Sequence, residues 1–127
     1  MARVVVLIPE LMFGSRVKEA LASAGHEVSL VSHEDEARAQ APEADVFVVD
    51  LVDESFDGAM LVESMLMGRE LGSTRSLGVY AHTDTDARRR AEQAGLDLVV
   101  PRSRMARDAA ELVAGLAAGD QVRPPAA

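Results

Sequence analysis

One carboxylate in this chain stands where open α/β sheets do chemistry. Asp50 closes an apolar run, Val46-Phe47-Val48-Val49, and the loop Leu51-Val52-Asp53-Glu54-Ser55-Phe56-Asp57-Gly58 follows it. A short apolar run ending in an acid, with Asp-Gly before a helical pattern, sets that acid at the carboxyl edge of a buried strand. Ligands and reacting groups gather at that edge. What such an acid can do depends on the residues beside it.

Other chemistries leave no trace. There are no cysteines, so disulfides and thiolate metal sites are excluded. His26, His33 and His82 are scattered, with no acids at metal-binding spacing, and read as surface or loop residues. No phosphate-cradling G-x-x-x-x-G-K, dinucleotide G-x-G-x-x-G or nucleophile G-x-S-x-G occurs.

The elements that must position Asp50 are legible. Val4-Val5-Val6-Leu7-Ile8 is a mostly β-branched run, expected as a central strand buried on both faces, and Pro9 ends it. Phe13, Val17, Ala20, Leu21 and Ala24 mark a helix stopping at Gly25. Val28-Ser29-Leu30 alternates like an edge strand. The stretch 33–44 carries a weak helical pattern that Pro42 ends or kinks, and Val46–Val49 is the second buried strand. A helix is predicted from Met60 to Leu71, stopping at Gly72. A strand follows at 77–81, then a polar helix capped within 83–86 and ending near Gly95. A strand at 98–100 and a helix at 108–116 complete the series. Strict alternation of five strands and five helices predicts a mainly parallel sheet covered on both faces by right-handed crossovers. Residues 1–118 read as one domain and 119–127 as a frayed, disordered tail.

Composition bounds the partners. The 127 residues carry a net charge of −8, which argues against a nucleic-acid surface. No run of about 18 apolar residues and no export signal is present, so no membrane role is expected and the cytoplasm is the expected location. Charge is uneven: residues 1–64 hold 13 acids and 4 bases, and residues 65–127 hold 8 acids and 9 bases.

Taken together, Asp50-Leu51 through Asp57-Gly58, Ala81-His82-Thr83-Asp84, Arg88-Arg89-Arg90-Ala91 and Ala94-Gly95 resemble the receiver domain of two-component response regulators over nearly the whole chain. The resemblance implies a doubly wound, flavodoxin-like sheet of strand order 2-1-3-4-5, with Asp50 at the phosphoacceptor position. It also implies a pair of metal-binding acids after the first strand, a small hydroxyl residue ending the fourth strand and a lysine ending the fifth.

The chain departs from that pattern at the site. Ile8 and Pro9 stand where the two acids are implied, and neither carries a side-chain oxygen. Glu10 is one step late and reaches the site only if the strand register slips. Tyr80 replaces the small hydroxyl, and Arg102 replaces the lysine. Mg²⁺ needs several oxygen ligands, so neither it nor any other cofactor is expected here. Asp50 is then read as a loop-ordering or capping carboxylate paired with Arg102, with no confident catalytic residue in the chain. Leu11, Met12 and Phe13 are expected as the first core turn of the helix, or as a plug in the space of the metal.

The resemblance places Arg88, Arg89, Arg90, Arg104 and Arg107 on the surface by which receivers dock partners and dimer mates. Such arginines are usually a solvated face, but there they can steer an acidic protein. The expected function is that of a stand-alone degenerate receiver: a phosphorylation-independent interaction module and not an enzyme, with a protein partner or a homodimer mate. The alternatives are an active phosphoacceptor using Asp50, or a small-ligand sensor at the edge of the first and third strands.

Overall fold

The computed structural model describes residues 1–119, so the expected tail lies outside the described residues except for Gly119. The elements run β1 Arg3–Leu7, α1 Leu11–Ser23, β2 Glu27–Val31, α2 Glu34–Gln40, a 3₁₀ turn Ala41–Glu43, β3 Val46–Asp50 and α3 Gly58–Met67. They continue with β4 Arg75–Tyr80, α4 Thr85–Ala94, β5 Leu98–Pro101 and α5 Arg102–Ala117. All strand pairs are parallel and the order is β2-β1-β3-β4-β5, as expected.

The strand side chains alternate between two cores, because successive residues of a strand point to opposite faces. Val4, Val6, Val48, Leu77 and Val79 meet Phe13, Val17 and Leu21 of α1 and Met105, Leu112 and Leu116 of α5. Val5, Leu7, Phe47 and Val49 meet Leu61, Val62 and Met65 of α3, with Ala91 and Leu96 from the α4 end. All five residues of β3 are buried, while β2 at the edge is only partly covered.

Two helices differ from expectation. α3 starts at Gly58, because Asp57 caps it, and ends at Gly68 rather than at Gly72; Leu71 is still fully buried, but from a loop. α5 begins at Arg102, six residues before the predicted start. Its first turns, Arg-Ser-Arg-Met-Ala-Arg, show only one apolar anchor in sequence, Met105, and that residue is fully buried. The backbone leaves helical geometry at Asp108 (φ −122°), where the predicted start lay.

Candidate functional site

Asp50 closes β3 with 4% of its surface exposed. The backbone bonds once more to β4, Leu51 N–H donating to the Val79 carbonyl at 2.8 Å, and then turns away. The turn is held by carboxylates. Asp50 Oδ1 accepts from the Val52 amide at 2.9 Å, Asp53 Oδ1 from the Ser55 amide at 2.8 Å, and Asp57 Oδ1 from the Met60 amide at 3.0 Å. Each acid satisfies an amide two or three residues downstream, as short acidic side chains do in turns and helix caps. Gly58 lets α3 start directly against the strand end: a Cβ there would lie 2.6 Å from the Asp50 carbonyl oxygen.

The flanking strand supplies no oxygen. β1 pairs with β3 up to Leu7 and Val49, so Ile8 and Asp50 follow at equivalent places. Ile8 is buried in the core on the α1 side. Pro9 is half-buried, and Glu10 turns back to cap α1, its Oε2 accepting from the Phe13 amide at 2.5 Å. The register does not slip to bring Glu10 to Asp50. Ile8, Pro9 and a committed Glu10 do not provide the oxygen set that Mg²⁺ requires. Among the described residues, no group of three or more His, Cys, Asp or Glu side chains is placed to hold a metal ion.

Tyr80 ends β4, is 7% exposed, and stands opposite Pro101 in the β4–β5 register. Arg102 is therefore the first residue of α5 rather than the last of β5. The expected ion pair with Asp50 does not form. Arg102 instead lies over the Phe13 ring, its guanidinium carbon 4.5 Å from the centroid, a cation–π arrangement. Its charge still reaches Asp50 through space. Burial pushes the Asp50 carboxyl above its ordinary range; the Val52 amide and the Arg102 charge oppose this, and burial wins. Leu11 and Met12 neither pack in the core nor plug the site. They are 76% and 72% exposed, and only Phe13 of the three turns inward.

Four of the five arginines expected to form a basic patch lie beside an acid. Arg90 pairs with Asp57 across the α3–α4 gap, Arg88 lies 3.8 Å from Glu92, Arg89 3.9 Å from Asp86, and Arg107 3.1 Å from Asp108. Of the five arginines, Arg104 has no ion-pair partner among the described residues. Burial would raise Asp57, but the Met60 amide and the Arg90 guanidinium outweigh it and hold the carboxyl below its usual range. The Asp57–Arg90 clasp was not foreseen. Its sequence signal was the Asp-Gly that opens α3, which marks the cap but not the partner on α4.

A cleft of about 550 Å³ opens at this edge between the β3–α3 loop and the start of α4, lined by Val52, Glu54, Phe56, Asp57, Asp84 and Arg90. Neither Ile8 nor Asp50 lines it, so it is not the expected pocket between the first and third strands.

No family model matches the chain, and no curated protein matches it. Solved structures do. The signal receiver domain of NarL from Mycobacterium tuberculosis is 24% identical, aligned over 93% of this chain and 97% of that one, with a TM-score of 0.78. Chemotaxis protein CheY4 of Vibrio cholerae is 20% identical over 91% and 98%, TM-score 0.78. A Francisella response regulator receiver domain is 16% identical over 94% and 98%, TM-score 0.80. At these identities the likeness establishes the fold: this chain has the fold of receiver domains.

Proposed function

We propose that this chain is a degenerate receiver: a signalling module that works by contact with a protein partner and not by phosphorylation. In this reading Asp50 orders the β3–α3 loop and accepts no phosphoryl group. The observation that carries it is the setting of Asp50, with Ile8 and Pro9 beside it, Glu10 spent on a helix cap, and Val52 N–H on its own Oδ1. Phosphoryl transfer to a carboxylate depends on neutralising charge around the transferred group, chiefly by metal. One buried acid with a guanidinium stacked elsewhere lacks that provision. The module catalyses no reaction of its own and takes no cofactor, and a cytoplasmic location goes with this role. A net charge of −8 favours a protein partner over a nucleic acid. Among the described residues, no helix is long and apolar enough to cross a membrane.

Incubation with acetyl phosphate and Mg²⁺, followed by intact mass measurement, tests the reading. An unchanged mass supports it. A gain of one phosphoryl group in the wild type, absent from Asp50→Asn, would overturn it in favour of an active phosphoacceptor.

A further inference from the structure

The described chain leaves six large apolar residues exposed, and three of them lie on α3. Met60 is 57% exposed, Met67 80% and Leu66 39%. Met60 and Met67 are seven positions apart, two turns, so they share one stripe about 10 Å long. Leu66 borders the stripe on the α4 side, where its Cδ1 would stand 2.9 Å from a Cβ at Gly95. On the other side Ser64 accepts a hydrogen bond from Arg38 of α2 at 2.9 Å. The stripe is therefore on the outer surface of the α2-α3-α4 layer, opposite the buried Leu61, Val62 and Met65.

Acids outnumber bases around it, although Arg69, two residues past Met67, is exposed and has no ion-pair partner among the described residues. Residues 34–70 hold 11 acids and 2 bases. Arg38 is held by Glu70 through two hydrogen bonds, 2.8 and 2.5 Å. Arg90, at the α4 flank, is held by Asp57. Glu63, between the two methionines in sequence, and Glu54, in the preceding loop, are exposed and have no ion-pair partner among the described residues. Flexible methionines with acidic surroundings match one kind of ligand well. Thioether side chains adapt to varied apolar surfaces, and acids around them favour cations at the rim.

We propose that the outer face of α3, Met60, Leu66 and Met67 with Glu63, docks a basic amphipathic helix of a partner protein. An apolar helix face would cover the methionine stripe, while its flanking lysines or arginines meet Glu63 and Glu54. This surface lies on the opposite side of the sheet from α1 and α5, and it does not use the arginines of α4. The inference rests on the contact reading of the module, yet the two fail separately. A phosphoryl group on Asp50 would end that reading and leave this surface in place.

The test uses the full chain with methyl-labelled methionine, followed by NMR. The probe is a synthetic leucine–lysine peptide patterned as an amphipathic helix; its leucine–glutamate counterpart is the control. Met65 and Met105 are fully buried, and Met12 is exposed on α1, so they serve as internal references. The expected result is saturable shifts of the Met60 and Met67 methyls with the lysine peptide only, weakened by added salt. Substituting both as Met60→Gln and Met67→Gln should lower affinity by about tenfold or more, since each loses an apolar contact on binding. Equal response at Met12, equal response to the glutamate peptide, or no shift would overturn the proposal. So would concentration-dependent shifts at Met60 and Met67 without peptide, which would assign the face to a second copy. Stronger shifts with phosphatidylcholine or phosphatidylglycerol vesicles would assign it to a membrane instead.

Discussion

Arg102 stacks on Phe13 and leaves Asp50 without an ion-pair partner among the described residues, although its charge is felt there. The guanidinium sits at the start of α5, where a helix dipole does not favour a cation, and the aromatic face compensates. Arg102→Ala should therefore cost only about 0.5–1 kcal/mol in urea unfolding, the scale of a partly exposed cation–π contact. Phe13→Ala, which empties a core position, should cost about 3–5 kcal/mol. The same Arg102→Ala variant should raise the pH at which the Asp50 carboxyl titrates, read by carbon NMR, because one favourable charge is gone. An unchanged titration would show that the Arg102 field does not reach the acid.

Asp50 gives a pH signature of its own. Burial raises its folded-state carboxyl above the unfolded value, so the ionised form costs stability. Below the unfolded range, about pH 3.9, both states are protonated and the cost is absent; it sets in as pH rises through the raised folded value. Asp50→Asn keeps the shape and can still accept from the Val52 amide. It should raise the melting temperature at neutral pH, and the gain should shrink toward zero in acid. A melting temperature lowered at neutral pH would show that the carboxylate charge supports the fold.

The Asp57–Arg90 clasp separates capping from pairing. Asp57→Ala should cost about 1 kcal/mol through loss of the α3 cap. Arg90→Ala leaves the cap in place and should cost less, within the roughly 0–1 kcal/mol of an exposed ion pair. The lowered Asp57 carboxyl contributes stability above its unfolded value, and that contribution is lost as pH falls through the folded one. The two variants should accordingly converge on the wild type in acid, which urea midpoints at several pH values would show.

Gly58 ties the helix start to the site. A methyl at this position would meet the Asp50 carbonyl oxygen at 2.6 Å and Val49 Cγ2 at 3.0 Å. Gly58→Ala should destabilise the fold by about 1–3 kcal/mol, as overpacking does. It should also move the amide resonances of Asp50 to Val52, in contrast to Asp57→Ala, whose effects should centre on the first turn of α3.

The sequence by itself determined where β1 and β3 run and that both are buried on two faces, because Val4–Ile8 and Val46–Val49 have no polar alternation. It also placed Asp50 at the carboxyl edge and the helix stops at Gly25 and Gly95, since these depend on local backbone chemistry. Tertiary structure decided what local pattern cannot carry. Glu10 and Arg102 were legible as charges, but their partners, an amide of α1 and the ring of Phe13, come from elements brought together by the sheet. Six methionines look alike in sequence; Met65 and Met105 are buried, and Met60 and Met67 face outward. Helical period places such residues around an axis, but only the packing of that axis against the sheet decides which side meets water.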